Sequence, residues 1–173
     1  MLAGKQVELR AYRDEDFEVI YGIYADLESW PGRSRQPPAP LTVAAFREWY
    51  VPLTAGVGGT EFVIEADGAP VGRCGMFDED PLARHAEVGI ALAPAARGRG
   101  LGTDAMRLLV EFLFSARNLQ RLHLETLASN AAALASYRKV GFVPEGVLRR
   151  HAFAGGEYVD TVVMGLLSAE WKG

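Results

Sequence analysis

Cysteine is almost missing from this chain: there is one, Cys74, in 173 residues. A lone thiol closes no internal disulfide, which excludes a disulfide-stapled scaffold and suits a reducing cytoplasm. Long apolar runs are missing as well. No stretch approaches the ~20 residues needed to span a bilayer, and the start of the chain carries no signal-peptide pattern, so no membrane role is expected. Positive charge is not in excess. With 18 Lys+Arg against 22 Asp+Glu, the net charge is −4 and the pI is near 5.4. That argues against nucleic acid as the main partner, because phosphate backbones need a basic surface. The three histidines, His85, His123 and His151, are scattered without metal-ligand spacing, and His85-x-Glu87 alone is too little for zinc; no metal is expected. Repeats and low-complexity segments are absent.

What remains is an ordinary globular composition, 49% apolar and 23% charged, in a chain long enough to bury its own core. One domain over residues 1–173 is expected. QVELRAY (6–12) alternates as a strand, and DEDFEVIYGIYADLESW follows as a helix opened by acidic residues. The stretch 30–41, rich in Pro and Gly, is irregular, and Thr42 caps a second helix through VAAFREWY. TEFVIEA and VGRCGMF form a hairpin about Asp67–Gly68, and HAEVGIALA adds a third strand. A glycine loop, a helix to about Arg117, the strand RLHLETL and a helix from Asn130 to about Val140 come next. Two strands joined at Ala154–Gly155–Gly156 close the chain. The order βααβββαβαββ predicts an α/β (α+β) architecture: a mixed central sheet of about seven strands with about four helices packed on it.

The stretch PAARGRGLGTDAM (94–106) puts Gly98, Gly100 and Gly102 at alternate positions, bracketed by Arg97 and Arg99. Bare backbone there lets successive N–H groups approach one ligand, and the following helix adds unpaired donors and a positive dipole end. Two guanidiniums supply charge-assisted hydrogen bonds to an oxyanion. The segment therefore reads as a phosphate or pyrophosphate site. It is no P-loop, since Gly-Lys-Ser/Thr does not follow, and Thr103 stands where a dinucleotide fingerprint needs its third glycine.

Arg97-Gly98-Arg99-Gly100-Leu101-Gly102 resembles the R/Q-x-x-G-x-G/A acetyl-CoA loop of the GNAT superfamily of N-acetyltransferases. NAAALASYRKVGF (130–142) is similar to that family's second signature: an Asn, a Tyr seven residues on, then Gly-Phe opening a strand. The resemblance covers nearly the whole chain. It points to the branch holding ribosomal-protein N-terminal and spermidine acetyltransferases. It implies a strongly twisted sheet in which two parallel strands splay and pantetheine pairs with one of them. Here that strand is HAEVGIALA, through main-chain groups of Ile90, Ala91 and Leu92. A backbone N–H near Ala91 or Leu92 would meet the oxyanion. Arg97 to Thr103, Asn130 and Tyr137 complete the implied cofactor contacts. Acetyl-CoA is the implied co-substrate and a primary amine the acceptor; the resemblance also allows a homodimer.

On the strand HAEVGIALA, Val88, Ile90 and Leu92 share one face; His85, Glu87, Gly89 and Ala91 share the other, where small neighbours leave open space beside Glu87. Glu87 is the expected general base, acting through a water, and Glu125, on one face with His123, is the alternative. Tyr137 is the expected general acid for the departing thiolate. An ammonium of pKa near ~10.4 costs about 4–5 kcal/mol to neutralise at neutral pH, whereas an α-amine of pKa near ~8 costs only about 1–1.5 kcal/mol. A single half-exposed Glu suits the second, which favours a protein or peptide N-terminal amine. Tyr137 itself looks more like the polyamine branch, so a polyamine or aminoglycoside-like acceptor stays open, as does a catalytically weak acyl-CoA sensor. Trp30, Arg33, Arg35, Trp49 and Tyr50 are candidate walls of the acceptor slot. Cys74 reads as a buried thiol, not a nucleophile, and Ala105, Leu108, Leu109, Phe112 and Leu113 as a core stripe.

Overall fold

The alternation ahead of residue 13 becomes two short antiparallel strands, β1 (Leu2–Ala3) and β2 (Glu8–Arg10), where one was expected. The structure is a computed structural model and describes residues 1–29, 38–54 and 60–173. Asp14–Asp16 form a 3-10 turn ahead of α1 (Phe17–Ala25), so the acidic residues precede the helix that they were expected to open. The reason is Asp16. Its carboxylate is fully buried, accepts two hydrogen bonds from the Arg10 guanidinium at 2.7 and 2.8 Å, and accepts the Arg13 N–H at 2.8 Å. Tying down that side chain fixes the turn before helical geometry begins. Thr42 caps α2 (Val43–Thr54) as expected, accepting the Ala45 N–H at 3.2 Å.

Then follow β3 (Thr60–Ala66), β4 (Ala69–Asp80), β5 (His85–Leu92), α3 (Leu101–Ser115), β6 (Arg121–Leu127), α4 (Ala131–Val140), β7 (Val143–Ala154) and β8 (Glu157–Leu167). The eight strands lie in the order β1-β2-β3-β4-β5-β6-β8-β7. Every pairing is antiparallel except β5 with β6, which α3 joins by a crossover.

One sheet face packs on α3 and α4. Ala105, Leu109 and Leu113 are fully buried there, with Leu108 and Phe112 partly so, against Ile64, Cys74, Val88, Leu122 and Leu124. Each such leucine contributes about 1.5–3 kcal/mol on leaving water. The opposite face is covered by α1 and α2 through an aromatic cluster of Phe17, Tyr24, Phe46 and Tyr50, with Val63 beneath it. The alternation in β5 splits as its sequence required: Val88, Ile90 and Leu92 join the α3 side, and Ala91 meets the α1–α2 side.

Candidate active site

β5 and β6 pair at only three positions, His85 with Arg121, Ala86 with Leu122 and Glu87 with His123. Beyond them β5 stays paired to β4 as far as Leu92, and β6 stays paired to β8 as far as Leu127. The two parallel strands therefore diverge, leaving a wedge with Glu87 and His123 at its vertex and Leu92 near its mouth. Each strand keeps its outer partner, so the edge of β5 from Val88 to Leu92 carries main-chain groups without a neighbouring strand among the described residues.

The glycine loop sits at that mouth. Gly98 and Gly100 have φ of 75° and 84°, left-handed values that favour glycine, and a Cβ at Gly98 would meet no atom within 4 Å. Arg97 N–H bonds to Pro94 O, while Thr103 and Asp104 N–H both bond to Gly100 O. The N–H groups of Gly98, Arg99, Gly100, Leu101 and Gly102 meet no backbone acceptor among the described residues. They form a cradle of donors at a helix N-terminus, ready for an anion. Gly102 has a second purpose. A Cβ there would stand 3.3 Å from Leu92 Cδ1 and 3.6 Å from Ile90 Cδ1, so its bareness lets α3 approach β5.

The two arginines are held lightly. Arg97 Nε donates to Leu92 O at 3.1 Å and its Nη2 lies 4.0 Å from Asp26 Oδ2; Arg99 Nη2 lies 3.5 Å from Asp67 Oδ2. Half-exposed pairs of this kind are worth about 0–1 kcal/mol, little enough for a phosphate to displace. Thr103 Oγ1 is engaged with Ser136 Oγ at 2.8 Å, tying α3 to α4. Asp104 accepts the N–H groups of Gln6 at 2.6 Å and Val7 at 3.2 Å, so it anchors the β1–β2 connection beneath the loop.

Glu87 is half-buried and shares its sheet face with His85, Gly89 and Ala91. The open space expected beside it is partly filled. The ring of Phe77, paired with Glu87 across β4, lies over Gly89, where a Cβ would stand 3.1 Å from Cε1. Glu125 stands two residues along from His123 on β6, on the same face and also half-buried.

The histidines prove less scattered than expected: the rings of His85 and His123 meet edge to face with centroids 5.6 Å apart. Strand register explains it, since HAE and RLH run side by side in the parallel pairing. Two one-residue alternations, each seen separately, were the available signal. Burial pushes the His123 imidazole below its ordinary value, reinforced by Arg121 and His85 and opposed by Glu125 and Glu145.

Asn130 caps α4, its Oδ1 accepting the Ala133 N–H at 3.1 Å. Tyr137 is buried with its ring edge-on to Phe142, centroids 6.1 Å apart, and burial pushes its hydroxyl up to about 12. Cys74 is fully buried and burial raises its thiol. On the acceptor side, Trp49 is half exposed and packs edge-on against Tyr24 at 5.0 Å. Tyr50, expected to line the slot, instead belongs to the aromatic core, stacked on Phe46 at 4.8 Å. Trp30, Arg33 and Arg35 lie outside the described residues. Sequence reading missed Arg73, which pairs opposite Ala91, donates to Glu61 at 2.9 Å and lies 4.5 Å from the Tyr24 ring centre. A charged residue in the middle of VGRCGMF was its trace.

A spermidine N(1)-acetyltransferase of Escherichia coli K12 is 35% identical over 103 residues, 60% of this chain and 55% of that protein. The chain thus spans little more than half the length of that relative. The L-amino acid N-acetyltransferase AaaT of Escherichia coli K12 is 29% identical over 161 residues, 92% of this chain and 96% of that one. The crystal structure of spermidine N-acetyltransferase from Vibrio cholerae, in complex with CoA and spermine, has the same fold: TM-score 0.86 over 95% of this chain and 97% of that one, at 24% identity. The acetyltransferase (GNAT) domain family matches residues 6–143, most of the chain, and the chain belongs to that family.

Proposed function

We propose that the protein transfers an acetyl group from acetyl-CoA to a primary amine by direct attack on the thioester, a protein or peptide N-terminal α-amine being the favoured acceptor. One observation carries this reading: a run of amides between Gly98 and Gly102, without backbone partners among the described residues, at the mouth of the β5–β6 wedge. The diphosphate of CoA fits the cradle and the flanking Arg97 and Arg99. An extended pantetheine arm then pairs along Ile90, Ala91 and Leu92, and Asn130 meets its polar groups. From Leu92 back to Val88 is about 13 Å at ~3.3 Å per residue, which brings the thioester toward Glu87.

Glu87, through a water, takes the proton of the attacking amine. A backbone N–H on the unpaired edge of β5 donates to the oxyanion of the tetrahedral intermediate. As the C–S bond breaks, Tyr137 gives its hydroxyl proton to the thiolate. Burial pushes that hydroxyl up to about 12, which keeps the proton in place at neutral pH until the thiolate departs. The likeness to an L-amino acid N-acetyltransferase over most of both chains supports an α-amine. The likeness to a spermidine N(1)-acetyltransferase supports a polyamine as the second reading. Val147, Phe153 and Tyr158, exposed along the β7–β8 hairpin, support the homodimer.

Thiol release from acetyl-CoA against peptides, amino acids, polyamines and aminoglycosides is the test. Turnover with peptide or amino-acid α-amines alone supports the favoured acceptor, and turnover with polyamines alone selects the second. Tight acetyl-CoA binding with no thiol release across the panel would make the protein an acyl-CoA-binding module.

A further inference from the structure

We propose that His123 and His85 form a relay that carries the acceptor's proton from the vertex of the β5–β6 wedge out to solvent. The inference rests on the acetyl-transfer reading above. Acetylation of an ammonium gives an amide, a thiol and one net proton, and that proton must leave a half-buried slot.

The geometry offers a route. His123 pairs with Glu87 in the last register position before the strands part, so its ring stands at the vertex on the face that carries the proposed base. Its partner on β8 is Gly165, over which the Glu145 side chain lies. The ring of His85 lies edge-to-face with that of His123, 5.6 Å between centroids. His85 in turn has two unlike ends. Nδ1 is buried and without a hydrogen-bond partner among the described residues. Nε2 faces the exposed loop, 4.0 Å from Asp80 Oδ2. Each imidazole takes a proton on one nitrogen lone pair and releases one from the other nitrogen. The proton passes from the acceptor through Glu87 and water to His123. The two rings touch without a hydrogen bond among the described residues, so a rotation of one ring about its Cβ–Cγ bond brings a His123 nitrogen to the unpartnered His85 Nδ1. His85 releases its Nε2 proton to solvent beside Asp80. Both rings end neutral.

The charged groups around the pair are Arg121 and Glu125 on β6, Glu87 on β5, Asp80 at the end of β4, and Glu145 from β7. Glu145 crosses over Gly165 to bind Arg121 at 2.6 and 2.5 Å. That bidentate pair compensates Arg121. Burial is the leading influence on His123 and favours the neutral ring, with its lone pair available at neutral pH.

Single-turnover acetyl transfer, measured from acid to alkaline pH on wild type, His123→Gln and His85→Asn, tests the relay beside calorimetry with CoA. His123→Gln should slow transfer about tenfold or more, flatten the acid limb of the wild-type profile and leave CoA affinity unchanged, with free imidazole restoring part of the rate. His85→Asn should change the profile in the same direction by a smaller factor, and it decides the matter should His123→Gln fail to bind CoA. Wild-type rates and profiles in the CoA-binding variants would overturn the relay while leaving acetyl transfer intact. A wild-type protein with neither CoA heat nor thiol release would overturn the acetyl-transfer reading itself, and the relay with it.

Discussion

Glu87 on β5 and His123 on β6 face each other as the last pair of the only parallel contact among the described strands, and beyond them the sheet opens. A carboxylate at the closed end of a wedge, with a run of N–H groups lacking backbone partners among the described residues at its open end, is set to meet whatever reaches down the gap. Glu87→Gln should cut acetyl transfer about a hundredfold, the usual scale for loss of a general base, with unchanged CoA affinity by calorimetry. Glu125→Gln should cost far less. The reverse order would transfer the role to Glu125.

Gly100→Val should raise the KM for acetyl-CoA sharply. Gly100 holds a φ of 84° at the N-terminus of α3. A β-branched side chain is strained there by roughly 1–2 kcal/mol and screens the neighbouring N–H groups. Steady-state kinetics on the folded variant would check it, and an unchanged KM would remove the loop from cofactor binding.

Tyr137→Phe keeps the ring that packs against Phe142, so the thermal midpoint should hold within about a degree or two, as expected for a change worth under 0.5 kcal/mol. Turnover should fall at least severalfold. Because burial pushes the hydroxyl up to about 12, its own deprotonation should not shape the rate profile at any ordinary assay pH. Wild-type turnover, under conditions where chemistry limits the rate, would leave Tyr137 as a packing residue.

Cys74 should be silent toward aqueous disulfide reagents in the native protein and react with one equivalent in urea. Its thiol is fully buried, and burial disfavours the thiolate that such reagents require. Cys74→Ala should retain activity, as direct attack on the thioester demands. Loss of turnover in a folded variant would instead favour an acyl-enzyme.

Asp16→Ala should destabilise the fold by about 3 kcal/mol, the low end for breaking a buried pair, because Arg10 loses its bidentate partner but keeps Glu65 and the Ala11 carbonyl. Burial alone would raise the Asp16 carboxyl, yet hydrogen bonds from Arg10 and the Arg13 N–H outweigh it and hold it below the usual 3.8. The stability that this pair contributes is therefore present above about that pH and lost as pH falls through the lower folded value. Urea midpoints at neutral and strongly acid pH should show a smaller acid loss in the variant than in wild type.

The local code of this chain is largely self-contained. RLHLETL alternates and forms β6, TEFVIEA ahead of the Asp67–Gly68 turn forms β3, both with those same ends, and Asn130 caps α4 because a side-chain acceptor three residues ahead of an N–H is a local event. The bareness of Gly98 and Gly100 likewise marked a bend of left-handed backbone, since φ freedom belongs to the residues themselves. What the sequence by itself could not determine is which elements stand side by side. The wedge exists because β5 keeps β4 and β6 keeps β8 while their mutual pairing stops at three positions. Strand pairing joins segments far apart in the chain and leaves no local signal. That same register set His85 against His123; the β4–β5 register placed the ring of Phe77 over Gly89, and the packing of α1 and α2 on the sheet drew Tyr50 into the aromatic core. Periodicity told which face each side chain takes; only the tertiary fold decided what that face meets.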